Sequence, residues 1–266
     1  MLNKVSLDTI AAALAMIMGA EPPQTSAKAN QALLEYANTA FEGKKADRLF
    51  MYNPDAIAQW VLEKYPDFAK EALELCDLKL PLCSVMPSVT PVCFGTLYTG
   101  AQPAIHGIQS YKKPVIQIET LFDSFIKAGK KCAIVADDEC SIGKIFLERE
   151  MDYFIFHTKE EVNAKAAELI IKDEYDFICV YNGNYDAVMH KNGPEAPLSL
   201  AALHENSHVF SIFSELIKTH WSAHNSLVGF AVDHGCHEID GGCGSHGLDM
   251  PEDLNIMHFY KAYPAK

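Results

Sequence analysis

The stretch FICVYNGNYDAVMHKNGPEAPLSLAALHENSHVFSIFSELIKTHWSAHNSLVGFAVDHG, residues 177–235, decides the fold. It opens on the apolar β-type run FICVY at 177–181, crosses a long helical pattern from about Pro197 to His220, and closes on a second apolar run, SLVGFAV at 226–232. Two short apolar runs joined through a helix predict a parallel β–α–β unit, because parallel strands need a long crossover. The alternation continues on both sides. Upstream come RLFMY (48–52), a helical pattern from Ala56 to Leu75, LKLPLCSV (78–85), a short helix near Val92 to Tyr98 and PVIQI (114–118). A helix at Leu121 to Lys127, KCAIVA (131–136), DYFIF (152–156) and a helix at Glu160 to Ile171 follow, and NIMHFY (255–260) reads as the last strand. The expected fold class is α/β, with a mostly parallel central sheet and helices on both faces.

Composition narrows the function classes. The chain has 266 residues, 49% hydrophobic and 21% charged, enough to bury one large core. Its 22 Lys and Arg against 35 Asp and Glu leave a formal charge of −13, with no basic stretch to track phosphates, so nucleic-acid binding is not expected. The longest apolar run, Ile10 to Met18, is short of the roughly 18 residues that a membrane span needs, so no membrane partner is expected. Lys4 followed by IAAALAMIM has the outline of a secretory leader, but Ser6-Leu7-Asp8-Thr9 reads better as a capped helix start. Eight cysteines, at 76, 83, 93, 132, 140, 179, 236 and 243, form no close pairs and read as reduced, buried thiols of a cytoplasmic protein.

Residues 1–45 read as two helical segments divided by Glu21-Pro22-Pro23, an N-terminal helical extension to a catalytic domain of residues 46–266. The apolar helix there is expected to pack on the core or on a second subunit, which leaves a homodimer open.

Ligands of open α/β sheets bind outside the carboxyl ends of the strands. The expected strand ends lead into Asn53-Pro54-Asp55, Met86 to Pro91, Asn184-Tyr185-Asp186 with His190, and Asp233-His234-Gly235. His246 follows in GGCGSHG, where glycines permit a tight return. Zinc accepts His nitrogen and Asp oxygen, and Asp55, Asp186, His190, Asp233, His234 and His246 are too many for one open site but suit two, three each.

The segments MPSVTPVCFGTLYTGAQPAIHGI (86–108), DAVMHKNGP (186–194), DHG (233–235) and HG (246–247) resemble, in order, the motif set of the alkaline phosphatase superfamily. Within it, they are most similar to type I phosphodiesterase/nucleotide pyrophosphatases and phosphonoacetate hydrolase. The resemblance covers about residues 47–260. It implies an alkaline-phosphatase-like fold, Asp186, His190 and His246 on one divalent metal, Asp55, Asp233 and His234 on another, and Thr90 as a nucleophile held by the second. It further implies hydrolysis of a small phosphorylated substrate through a covalent phospho-threonine. Phosphonate or phosphomonoester hydrolysis at the same site is the alternative, and non-catalytic, metal-dependent binding of a phosphate ligand is another. Zinc is the expected metal, and manganese or iron suits the same donors. Two departures stand out: the first acidic ligand lies in YNPDAI rather than before glycine, and Cys93 occupies the position where nucleotide pyrophosphatases carry asparagine. Cys93, His106 and His237 are weaker candidates for substrate contact.

Plainer readings exist for several of these residues. Thr90 before Pro91 fits a helix N-cap, and Asp186 with His190 fits a solvated helix face. Lys112, Lys113 and Lys191 are either an attraction for an anionic substrate or ordinary solvated lysines. His204-Glu205-Asn206-Ser207-His208 is a literal H-E-x-x-H, which makes a zinc protease a minor alternative. Gly242 to Gly247 fits G-x-G-x-x-G but neither follows a strand nor opens a helix.

Overall fold

A computed structural model describes all 266 residues. In chain order the elements are α1 (Thr9–Ile17), α2 (Gln31–Ala40), β1 (Arg48–Pro54), α3 (Gln59–Lys64), α4 (Lys70–Leu75), β2 (Leu78–Cys83), α5 (Thr90–Thr99) and α6 (Pro103–His106). There follow α7 (Leu121–Lys127), β3 (Cys132–Asp137), α8 (Ile142–Ile145), β4 (Asp152–Phe156), α9 (Lys159–Lys172), β5 (Phe177–Asn182) and α10 (Asn184–Asn192). The chain ends with α11 (Pro197–His220), β6 (Ser226–Phe230), β7 (His237–Ile239), β8 (Cys243–Ser245), α12 (Pro251–Leu254) and β9 (Asn255–Tyr263).

Seven strands form one sheet in the order β2-β9-β6-β1-β5-β3-β4, and β9 alone runs against its neighbours. The sheet is thus mostly parallel, as the alternation predicts. β1, β5 and β6 are buried along nearly their whole length, which follows from helices covering both faces. β7 and β8 pair separately as a short antiparallel hairpin.

Two expected elements differ. PVIQI is not a strand: within it only Ile116 is buried, and its N–H donates to Ile145 O (2.9 Å) outside any sheet. Pro114 brings no donor to a ladder. The helix expected over 56–75 is broken into α3, a 3-10 turn at Pro66–Ala69 and α4. Pro66 lacks an N–H and drives Tyr65 out of helical geometry, to φ −125° and ψ 51°.

The apolar helix α1 is buried on nearly every side and packs against α2, α5 and α7. Asp8 precedes it but makes no cap bond; its carboxylate accepts from Gln102 Nε2 (2.6 Å) instead. Ahead of α1 the backbone joins the exit of β2, with Leu7 N–H donating to Cys83 O (2.9 Å) and Cys83 N–H to Val5 O (2.7 Å). One hydrophobic cluster runs from Leu7 through the sheet to Ala262. All eight cysteines are free thiols, six of them buried. No helix is long and apolar enough to cross a membrane.

Candidate functional site

The three central strands β6, β1 and β5 are neighbours, and each delivers functional side chains from its carboxyl end. Asp55 is the first residue past β1, held by its N–H donating to Asn182 O at the end of β5 (3.1 Å). Asp233 and His234 follow β6, and Ala56 N–H donates to Asp233 Oδ1 (3.2 Å). Ala56 takes φ 63°, a left-handed conformation that glycine adopts more readily, at the position following Asp55. α10 starts directly beyond β5, so Asp186 and His190, four apart, share one face. The close approach of β8 then adds His246. A Cβ at Gly244 would stand 2.2 Å from Met189 Sδ and 2.8 Å from Met189 O, so only glycine lets the hairpin lie against α10.

Asp186, His190 and His246 gather with their ligating atoms within 4.8 Å of one another, and Asp55, Asp233 and His234 do the same. The two groups adjoin, because the rings of His234 and His246 stack at 4.1 Å between centroids. Thr90 opens α5 and does not act as its cap: the cap position is Val89, with no side-chain bond. The Thr90 hydroxyl instead donates to Asp55 Oδ2 (3.3 Å) and lies 3.3 Å from His234 Nε2.

The donor set fits divalent cations. Each of the three histidines turns Nδ1 to a main-chain carbonyl: His190 to Gly244 O (3.0 Å), His234 to Gly235 O (3.0 Å) and His246 to Ser88 O (2.9 Å). A carbonyl only accepts, so Nδ1 carries the proton, and in the neutral ring Nε2 presents a lone pair to the cluster. Those lone pairs face carboxylate oxygens: His190 Nε2 is 3.2 Å from Asp186 Oδ1, and His234 Nε2 is 3.4 Å from Asp55 Oδ1 and 3.3 Å from Asp233 Oδ2. The same three oxygens are buried without a hydrogen-bond partner. No lysine or arginine forms an ion pair with any of the three carboxylates. Acceptors aimed at acceptors call for a proton or a metal ion between them.

Titration of these side chains reflects the same crowding. Burial, then the charge of Asp186, pushes Asp55 up to about 7; burial, then Asp55, holds Asp233 well above the usual carboxylate range. Burial also pushes on Asp186, but His190 and His246, which donate to it once their rings are protonated, outweigh burial and hold that carboxyl low. The bond to Asp186 lifts His190 to about 9, whereas burial, reinforced by His246, drives His234 down to about 3.

The weaker candidates lie elsewhere. Cys93 is fully buried, with its sulfur 3.2 Å from Ser84 Oγ, and has its thiol pushed up by burial. His106 packs over Gly95, bonds Thr96 Oγ1 (3.0 Å) and accepts from Ile108 N–H (3.2 Å); burial lowers it to about 4. His237 gives Nδ1 to Asp253 Oδ1 (2.7 Å). Lys113 bonds the Glu139 carbonyl and stacks over Tyr111. In the H-E-x-x-H segment, His208 pairs with Glu71 (2.9 Å) and Glu205 with Lys159 (2.5 Å), and His204, Glu205 and His208 all lie outside both ligand groups.

Tyr181, Tyr111 and Asp253 escaped the sequence reading. Tyr181 ends FICVY and donates its hydroxyl to Asp55 Oδ2 (2.5 Å), and it lines a cavity of about 320 Å³ with Asp137, His157, Lys159 and Asn182. Its place at a strand's carboxyl end was the available signal. Tyr111 is exposed, and its phenol is pushed up by burial and then by Asp55, Asp186 and Asp233, so it lies in the field of the cluster.

Fold and site together define an α/β chain with an alkaline-phosphatase-like fold and two three-donor groups at the carboxyl edge of its sheet. Among solved structures it is similar to murine ectonucleotide pyrophosphatase/phosphodiesterase 5, at 17% identity and a TM-score of 0.59 over 73% of this chain and 58% of that one. An inactive variant of that murine protein in complex with AMP matches equally, over 73% and 59%. Phosphonoacetate hydrolase from Sinorhizobium meliloti, in complex with phosphonoformate, matches at 17% identity and a TM-score of 0.54 over 76% of this chain and 61% of that one. The chain thus spans less than two thirds of these structures. No protein-family model matches it, and no curated protein matches by sequence.

Proposed function

We propose that the chain is a two-metal phosphoryl-transfer hydrolase in which Thr90 attacks phosphorus and carries the phosphoryl group covalently. The observation that carries this reading is the buried Thr90 hydroxyl, 3.3 Å from both Asp55 and His234, beside two groups of three metal-type donors in which one oxygen of each carboxylate lacks a hydrogen-bond partner. Asp55, Asp233 and His234 would hold one cation and Asp186, His190 and His246 the other. Such cations, zinc by preference with manganese or iron also suited, would supply positive charge that favours ionisation of the threonine and neutralises the entering and leaving oxygens.

The chain's own residues do the rest. Asp55 and His234 orient the Thr90 oxygen, and the N-terminus of α5 adds its partial positive charge there. The threonine oxygen bonds phosphorus as the bond to the leaving oxygen breaks in line, and the departing oxygen takes up the proton that the threonine has lost. Water then cleaves the phospho-threonine, which restores the hydroxyl and releases the phosphoryl product. Substrates of this type are small phosphodiesters or nucleotide pyrophosphates; an acidic chain is poorly suited to nucleic acid.

Turnover of bis-p-nitrophenyl phosphate by the loaded protein and by Thr90→Ala is the test. The variant is expected to retain two metals and lose turnover by more than about 10³-fold. Unchanged turnover would remove Thr90 from the mechanism. A panel adding phosphonoacetate and a phosphomonoester assigns those alternatives where they alone are cleaved, and tight anion binding without turnover of any ester assigns a binding protein.

A further inference from the structure

One buried carboxylate outside both donor groups bonds to the loops that carry them. α12 carries Asp253, whose side chain is fully buried and whose three oxygens each tie down a different piece of the site. Its Oδ1 accepts from His237 Nδ1 (2.7 Å) on β7. Its Oδ2 accepts from Leu248 N–H (2.8 Å), two residues beyond His246. Its main-chain oxygen accepts from Gly235 N–H (2.8 Å), the residue after His234. The neighbouring Leu254 O accepts from Ser84 N–H (2.7 Å), while Ser84 Oγ donates to Asp233 O (2.6 Å), so the same short helix also reaches the segment leading to Thr90.

Gly235 shows how tight this junction is. A Cβ there would stand 2.1 Å from Glu252 O, so glycine is needed for the loop after β6 to lie against α12. His237 in turn sits opposite Ser245 in the β7–β8 hairpin, one residue before His246.

We propose that Asp253, acting through His237 and Leu248, is the positioning residue that sets the separation of the Asp55/Asp233/His234 group from the Asp186/His190/His246 group. It hydrogen-bonds to none of the six donor side chains; it fixes the loops from which His234 and His246 reach inward. This inference rests on the reading of the two groups as metal sites. Supporting groups behind metal ligands commonly govern affinity by about 10–100-fold.

The experiment is competitive zinc titration against a chromophoric chelator, on the full chain and on Asp253→Asn, His237→Leu and His237→Gln. Circular dichroism and melting of each chelator-treated protein are recorded alongside. The asparagine keeps an acceptor for Leu248 N–H but reverses the polarity facing His237; leucine removes the donor, and glutamine can restore one. Asp253→Asn and His237→Leu are expected to fold and to bind zinc 10–100-fold more weakly, and His237→Gln to recover most of the affinity. Wild-type affinity in His237→Leu, or a glutamine variant as weak as the leucine one, would overturn the proposal. Should Asp253→Asn not fold, the two His237 variants decide alone. A His237→Leu chain that is itself unfolded after chelation would assign the pair to stability only and so count against positioning. A wild-type chain that binds no zinc sinks the metal-site reading itself, whereas two wild-type sites with unaffected variants sink this inference alone.

Discussion

His190 and His246 bring their Nε2 atoms to 3.2 Å from each other while each gives Nδ1 to a main-chain carbonyl. Two neutral rings so oriented oppose lone pair to lone pair, and a shared proton or a cation relieves the repulsion. His246→Ala is therefore expected to lower the metal stoichiometry from two to one, as read by elemental analysis after gel filtration. His204→Ala, in the H-E-x-x-H segment, should leave the content at two.

Protons and cations compete for these groups, which gives a pH dependence with a defined sign. His190, lifted to about 9 from an ordinary value near 6.5, stabilises the chelator-treated fold fully below 6.5 and progressively loses that contribution as pH rises to 9. Asp55, lifted to about 7, also binds its proton more tightly in the fold, so its contribution is lost as pH rises through 7. Differential scanning calorimetry of the chelator-treated protein should show Tm falling between pH 6 and 9. Added zinc should restore it, and more strongly at pH 9 than at pH 6, because ligands must be deprotonated to bind. A flat or rising Tm would show that these groups are not coupled to folding as described.

Tyr181 donates to a carboxylate that burial has already made costly to ionise. Tyr181→Phe removes that donor at nearly constant shape, and chemical denaturation should read a loss of about 1–3 kcal/mol in the chelator-treated protein. Zinc affinity at the Asp55 group is expected to weaken by about 10–100-fold, since the hydroxyl orients the ligand.

Gly244→Ala tests the contact between β8 and α10. The added methyl meets both the Met189 side chain and the Met189 carbonyl, so a smaller side chain at 189 relieves only part of the clash. A loss of about 1–3 kcal/mol is expected on denaturation, together with weaker zinc binding at the Asp186 group. Stability and affinity both unchanged would mean that the hairpin approaches α10 less closely than the geometry requires.

Surface pairs should matter little by comparison. His208 and Glu71 are both substantially exposed, and His208→Ala is expected to change stability by less than about 0.5 kcal/mol and to leave phosphodiester turnover as it was. A large loss of activity would return the H-E-x-x-H segment to consideration.

The α/β alternation was legible because it follows from local pattern, whereas the division of the six metal-type donors into two groups rests on the family resemblance. FICVY and SLVGFAV are buried strands with polar residues immediately beyond them, and that placement at a strand's carboxyl end carries chemical meaning in this class of sheet. PVIQI misled because apolar content alone does not say whether an edge is available for pairing. The continuous helix expected over 56–75 ignored what Pro66 does to Tyr65.

Sequence by itself determined which residue types could meet: carboxylates and imidazoles after apolar strands, a threonine opening a helix, and glycines where the chain must return. Only the tertiary structure decided which atoms face inward. The carbonyls of Gly244, Gly235 and Ser88 choose the ring nitrogen that each histidine presents, and Asp253 joins loops far apart in the chain. The physical reason is that these choices are made by main-chain groups and long-range hydrogen bonds, whose partners are set by how the sheet and its loops close on one another and leave no periodic trace in the residues themselves.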